Sequence, residues 1–132
     1  MKSIISILFL FIYFLATGQD HGHLEPRYEL LKVNDSMQID NSRIITFLGV
    51  LSDSRCPKGI ECVWEGQAKI KIRMRGIDKP FQEKILTVRP GNDYPLDMNE
   101  TVYIEGLLPI PTIKQKIKPE DYTLAIGYYP KS

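Results

Sequence analysis

The chain has 132 residues and a formal net charge of +1, from 17 lysines and arginines against 16 aspartates and glutamates. This length is typical of one compact domain, and the near-neutral balance gives no overall attraction to nucleic acids or to anionic membranes. Both histidines, His21 and His23, precede the predicted domain, which therefore lacks the usual base of Ser-His-Asp and Cys-His catalysis.

The first eighteen residues have the organisation of a secretory signal peptide. Lys2 provides a positive charge, residues 4–15 are almost entirely apolar, and Ala16 and Gly18 are small residues at positions −3 and −1 of a cleavage site. A transmembrane span needs about 20 apolar residues, so this run is too short to be a membrane anchor. We expect it to be cleaved and to leave no stable membrane span. We therefore expect export, to the periplasm or to the cell exterior.

Cleavage after Gly18 would leave 114 residues. We expect a signal peptide at 1–18, a flexible tail at 19–27 and a single β domain at 28–132. Because Lys2 is the only charged residue of the signal, basic and acidic residues are equal in number after its removal. This balance gives no reason to expect a nucleic-acid partner.

Three short segments before the cysteines are predicted as strands, and turn signals separate them. They are residues 28–33, 37–40 and 44–51. The last segment is apolar on both faces, which indicates a central or covered strand or an oligomer contact. Gly49 indicates a bulge within it.

Cys56 and Cys62 enclose a loop of five residues. An even number of cysteines in an exported protein predicts a disulfide. For so short a ring it stabilises by only about 2 kcal/mol, but it fixes the shape of the loop. A zinc site needs three or four ligands, and a redox dithiol more typically has Cys-x-x-Cys spacing. We therefore expect a structural disulfide, no metal and no cofactor.

The segment Ala68–Arg75 alternates without interruption between apolar residues and cations, which predicts a strand with one buried and one solvated face. The cations are Lys69, Lys71, Arg73 and Arg75. Such a row is a candidate site for a polyanion. At neutral net charge we favour the alternative, a solvated face paired with acidic neighbours such as Glu83.

Further strands are predicted at residues 81–88, 102–105 and 122–129, between turn signals that are rich in proline and glycine. Short strands at this spacing, with no sustained helical period, predict an all-β fold. We expect a small antiparallel β-sandwich with Greek-key connections, similar to immunoglobulin and fibronectin type III domains, and an open β-barrel is the alternative. Tyr122, after a turn at Pro119, is similar to the tyrosine corner of those domains, whose hydroxyl bonds to upstream backbone.

Residues 53–68 read D-S-R-C-P-K-G-I-E-C-V-W-E-G-Q-A. They resemble the D-S-R-C-P-x(4)-C-V-W-x-G-x-A signature of a family of small exported bacterial proteins and lipoproteins without an assigned activity. Residues 107–122 resemble the C-terminal half of the same family. Many relatives carry a lipobox cysteine and this chain does not. The resemblance implies a fold and a compartment, and it supplies no catalytic residues.

The signature has a structural and a functional interpretation. In the structural one, Trp64 packs on the disulfide and the core, and Gly66 permits a close backbone approach or a positive φ. Asp53 and Arg55 either pair with each other or cap backbone groups in the turn. In the functional one, six side chains of the segment form the rim of a recognition surface. These are Asp53, Arg55, Lys58, Glu61, Trp64 and Glu65.

The sequence predicts a non-enzymatic binding or structural module that contacts a protein or glycan at the cell envelope. One alternative is a protease inhibitor that uses Lys58 in the disulfide-closed loop. Another is a small hydrolase, although nothing in the sequence brings a pair of carboxylates together. Cleavage after Gly18 would also place His21 third from a free amine, an arrangement that binds Cu²⁺ or Ni²⁺ in a square plane. Cyclisation of Gln19 would remove that amine, and we expect a disordered tail without a metal.

Overall fold

The computed structural model describes residues 25–76, 78–96 and 101–129, which contain eight strands and one short 3-10 helix, Pro119–Asp121. The strands are β1 (Arg27–Lys32), β2 (Ser36–Gln38), β3 (Ile44–Asp53), β4 (Ala68–Arg75), β5 (Gln82–Val88), β6 (Tyr94–Pro95), β7 (Val102–Leu108) and β8 (Thr123–Tyr128). The predicted signal peptide and both histidines lie outside the described residues. Within this part of the chain, no helix is long and apolar enough to cross a membrane.

The strands form two antiparallel four-stranded sheets, so the predicted β-sandwich is confirmed. Sheet A has the order β1-β8-β7-β6, and sheet B has the order β2-β3-β4-β5. Apart from β1 with β8, each hydrogen-bonded pair joins strands that are consecutive in the chain. Immunoglobulin-type Greek keys instead pair several strands that are distant in sequence. The strand order is therefore closer to a meander than to the predicted Greek key, and the described strands do not form one continuous barrel sheet.

The core lies between the inner faces of the two sheets. Its completely buried side chains include Ile45, Phe47, Ile70, Ile72, Ile104, Leu124 and Ile126. Burying one side chain of this size stabilises the fold by about 1.5–3 kcal/mol. On β4 the alternate residues from Ala68 to Ile72 are buried and the cations between them face outward, as the sequence pattern predicts.

The segment at 44–51 lies in β3, which is an inner strand between β2 and β4. Ile45 and Phe47 point into the core, whereas Leu51 is exposed. The register of β3 against β4 shifts between Phe47 and Gly49, which confirms the predicted bulge. Gly49 has φ +138° there, a backbone conformation that favours glycine.

Candidate functional site

Two connections leave the same end of the sandwich, and we call them together the loop end. They are residues 54–67, which join β3 to β4, and residues 109–118, which follow β7. The first connection continues the β3–β4 ladder, because the Ser54 amide donates to the Gln67 carbonyl at 2.8 Å and the Cys56 amide donates to the Glu65 carbonyl at 2.9 Å. Its outer part is closed by the Cys56–Cys62 disulfide, as predicted.

Gly66 has both properties that the sequence suggests for it. Its φ is +72°, and a Cβ at this position would lie 2.0 Å from the carbonyl oxygen of Ser54. The two arms of the loop therefore touch through their backbones. The atom in the way is main chain, which cannot rotate aside as a side chain would.

Asp53 and Arg55 form a buried ion pair at the base of the loop. The guanidinium donates to both carboxylate oxygens, from Nε at 2.8 Å and from Nη2 at 2.7 Å. Only 8% of Arg55 is exposed. The predicted pairing is confirmed, and a bidentate geometry of this kind is among the stronger charge-assisted contacts.

The same guanidinium fastens the loop to sheet A. Arg55 Nη1 donates to the carbonyl of Leu107 and Nη2 donates to that of Pro109 at 3.0 Å. The Tyr122 hydroxyl donates to the second oxygen of Asp53 at 3.0 Å. The predicted tyrosine-corner bond to backbone is therefore replaced by a bond to a carboxylate, because Asp53 occupies the space beside the hydroxyl.

Burial and hydrogen bonding oppose each other at Asp53. Burial by itself raises the pKa of its carboxyl, but hydrogen bonds from the Arg55 side chain and amide, the Arg55 charge and the Tyr122 hydroxyl together hold that pKa below its usual value. Burial, and then the hydrogen bond to Asp53, raises the pKa of Tyr122 to about 12. At neutral pH the cluster is thus a carboxylate, a guanidinium and a neutral phenol.

The two connections of the loop end are also joined further out. The Lys58 amide donates to the Pro111 carbonyl at 2.8 Å, and Lys58 forms a parallel bridge with Thr112. The disulfide-closed loop is thus held at its base by Arg55 and near its tip by Lys58. Since neither contact is near in sequence, no local pattern predicts them.

Several apolar side chains of the loop end face solvent. Val63 is fully exposed and 60% of Trp64 is exposed, and both lie in a bend of the chain. The prediction that Trp64 packs into the core is therefore wrong, since most of its side chain is exposed at this bend. Ile60, Ile110 and Ile113 are exposed on the same two connections.

A cavity of about 550 Å³ opens beside the loop end. Its walls are mainly apolar and include Leu30, Leu107, Leu108 and Ile110. The charged side chains among its lining residues are Arg55, Glu65, Arg89 and Glu105. An apolar cavity with a few polar groups is the usual form of a ligand site. A second cavity, of about 490 Å³, shares Arg55 and Pro111 with the first.

The six residues of the predicted rim are divided between interior and surface. Asp53 and Arg55 turn inward and hold the loop, whereas Lys58, Glu61, Trp64 and Glu65 are exposed. The sequence did not indicate that Glu65 and Glu105 would line one cavity, because they are placed together only when β7 meets the loop. The apolar exposure of Ile110 and Ile113 was also missed, since single isoleucines between prolines and lysines give no periodic signal.

The cationic row of β4 faces solvent and is partly neutralised. Glu83 binds the Lys71 ammonium at 2.7 Å and the Arg73 guanidinium at 2.8 Å, which confirms the predicted pairing. Hydrogen bonds from Lys71 and then Arg73 lower the pKa of Glu83. The Arg75 guanidinium lies 5.3 Å from the centre of the Phe81 ring. Because Glu83 pairs with two of the four cations, the row would attract a polyanion less strongly than four unpaired cations would.

The described residues contain no group of three or more histidine, cysteine, aspartate or glutamate side chains placed to hold a metal ion. The Cu²⁺ or Ni²⁺ hypothesis concerns His21, which lies outside this part of the chain.

Fold and site together define a class, a disulfide-containing antiparallel β-sandwich with a braced, apolar loop end. Comparisons of the chain with protein-family models, with curated proteins and with solved structures returned no match.

Proposed function

We propose that the protein is an exported, non-enzymatic recognition module whose loop end binds an apolar surface of a partner protein. The observation that carries this proposal is the exposure of Val63 and Trp64 on a loop that is already braced in one shape. Exposed apolar groups are unfavourably hydrated, so a partner that removes them from water gains binding free energy. Tryptophan is also among the residues that most often dominate binding energy at protein interfaces.

Bracing of the loop end supports the same proposal. The Cys56–Cys62 disulfide, the Arg55 contacts and the Lys58–Pro111 hydrogen bond all order the loop before any partner arrives. Binding then costs little conformational entropy, since the order is already present in the free protein. The adjoining cavity offers a concave acceptor for an apolar side chain of the partner.

The disulfide and the N-terminal signal pattern both favour a function outside the cytoplasm. The disulfide requires oxidising surroundings to persist, and residues 1–18 have the pattern of a secretory signal. We therefore place the partner in the periplasm or outside the cell.

The protease-inhibitor alternative is less well supported. A protease binds an inhibitory loop through its backbone, as an added strand. The Lys58 amide is already bonded to Pro111, and the next residue, Gly59, has φ +87°, which is not an extended conformation. Lys58 is exposed, but its backbone is not free to pair.

A small hydrolase is the second candidate, because Glu65 and Glu105 line the same cavity. Glycoside hydrolases work with two carboxylates of this kind. A purified Glu65→Gln, Glu105→Gln double variant provides the test. Loss of a glycosidase activity that the wild type shows would support an enzyme, and absence of activity in both proteins would exclude this candidate for the substrates assayed.

Site-specific photo-crosslinking in the exporting cell tests the recognition proposal. A photoreactive residue at position 63 is expected to give a discrete protein adduct. The matched control is position 85 on the outer face of sheet B, since Ile85 is 60% exposed like Trp64. Trp64→Ala should abolish the adduct at position 63 and weaken binding of the captured protein by at least about 30-fold, the loss typical of a dominant interface tryptophan. Equal adducts at positions 63 and 85, or no effect of Trp64→Ala, would contradict the proposal.

A further inference from the structure

A row of tyrosines crosses the outer face of sheet A, at the end opposite the loop end. Tyr28 on β1 and Tyr103 on β7 are both cross-strand partners of Gly127 on β8. Since Gly127 has no side chain, the Tyr103 ring lies across it, and a Cβ on Gly127 would be 2.4 Å from the ring. The Tyr103 hydroxyl thereby reaches the Tyr28 hydroxyl, to which it donates at 3.4 Å.

Tyr129 extends this aromatic surface past the end of β8. Its ring centre lies 6.3 Å from that of Tyr103, at an interplanar angle of 44°. A groove of about 340 Å³ is lined by these two rings together with Asp93 and Pro95. Tyr28 is 57% exposed and Tyr129 is 37% exposed. We call these five residues the tyrosine face.

The hydroxyl of Tyr103 is neutral at physiological pH. The hydrogen bond with Tyr28, and then burial, raises the pKa of Tyr103, and the nearby Tyr129 and Asp93 act in the same direction. The groove therefore presents a neutral phenol, one carboxylate and the faces of aromatic rings.

We infer that the tyrosine face binds a neutral oligosaccharide. A pyranose ring has an apolar face of C–H groups, which packs on an aromatic ring, and hydroxyls at its rim, which need hydrogen-bonding partners. The groove supplies both, because the Tyr103 and Tyr129 rings stand beside the Asp93 carboxylate. Among the described residues that line the groove there is no lysine or arginine, so these residues would repel an acidic sugar through Asp93 without a compensating cation.

This site is independent of the loop end. Within the described part of the chain, no residue that lines the groove also lines the cavity beside the loop end. The loop end also exposes aliphatic side chains and Trp64, whereas the tyrosine face combines aromatic rings and a carboxylate in a groove. The two sites are therefore expected to respond to different variants.

Isothermal titration of the exported chain tests the inference. The probes are the neutral oligosaccharides cellohexaose, laminarihexaose, maltohexaose and N-acetylchitohexaose, with tetragalacturonate as the acidic control. We expect saturable binding of at least one neutral probe, with a dissociation constant of about 10⁻⁵–10⁻³ M, and weaker binding of the acidic one. Tyr129→Ala should lower the affinity for that probe by about tenfold, because one aromatic contact is lost.

Two further variants separate stacking from loss of fold. Tyr129→Phe keeps the ring and should retain most of the affinity. Leu51→Ala alters a side chain that is 56% exposed on the other sheet and should leave the affinity unchanged. Absence of saturable binding for every neutral probe at 5 mM, preferred binding of tetragalacturonate, or an unchanged affinity in Tyr129→Ala would each overturn the inference.

Discussion

Two structural requirements, a positive φ and the absence of a side chain, meet at Gly66 in the β3–β4 connection. Its φ of +72° lies in the left-handed region, and its missing side chain leaves room for the Ser54 carbonyl. Gly59 in the same loop has φ +87° but nothing within 4 Å of the position where a Cβ would stand. The two glycines therefore allow conformational strain to be measured apart from steric overlap.

Gly59→Ala is expected to cost about 1–3 kcal/mol, the strain of placing a side chain at positive φ. Gly66→Ala adds an overlap with backbone and should cost clearly more. The midpoints of urea unfolding measure both losses. Equal losses would show that the contact between Gly66 and Ser54 does not limit this position.

Sequence reasoning identified Gly66 and the Asp53–Arg55 pair correctly and placed Trp64 incorrectly. The first two are local, since the partners are at most twelve residues apart. The direction of a side chain at a bend depends instead on how the returning chain is fixed. The residue after Trp64 is held by the hydrogen bond from the Cys56 amide to the Glu65 carbonyl, a contact that sequence spacing does not reveal.

At the scale of elements, strands such as β4 and β8 were predictable because buried residues alternate with more exposed ones along much of their length. Alternation gave the bounds of β4 without error. The two-residue strand β6 was missed, since a pattern of period two needs more than two residues. The association of the two connections at the loop end was also unpredictable, because Arg55 reaches carbonyls that lie 52 and 54 residues further along the chain.

The disulfide loop is expected to depend on its cross-link more than the sandwich does. Replacing both cysteines by serine removes a short ring, so the free energy of unfolding should fall by only about 2 kcal/mol. The loop itself should open, and trypsin should then cleave after Lys58 far faster than in the oxidised protein. Mass spectrometry of the first cleavage product measures this. Unchanged resistance at Lys58 would show that Arg55 and the Lys58–Pro111 bond suffice to hold the loop.

At the scale of the whole molecule, acid sensitivity follows from carboxylates whose pKa is lowered by folding. Asp53 is one. Asp40 is another, since hydrogen bonds from Ser42 and Arg43 outweigh burial and lower its pKa. Below about pH 4, the ordinary value for aspartate, the unfolded chain binds protons that the folded chain does not. The contribution of these two carboxylates to the free energy of unfolding is therefore fully present above that pH. It is lost as the pH falls through their lower folded-state pKa values.

Asp53→Asn should flatten this acid dependence while destabilising the protein at pH 7. The loss at pH 7 should be about 3–5 kcal/mol, because Arg55 keeps a buried charge without its partner. Tyr122→Phe is the matched control, since it removes one hydrogen bond to the same carboxylate and should cost about 1 kcal/mol. Urea midpoints at pH 7 and pH 3 give the comparison. The same pH dependence in Asp53→Asn and the wild type would contradict the assignment.

The pairing of β1 with β8 places Arg27 beside Tyr128, at the pole opposite the loop end. A fusion partner or surface linkage joined directly to either of these two strand ends would thus lie opposite the loop end, which would stay free to face a binding partner. It also means that a short linker could connect the two terminal strands. The loop at residues 78–81 could then be opened to give a circularly permuted chain with both sheets intact.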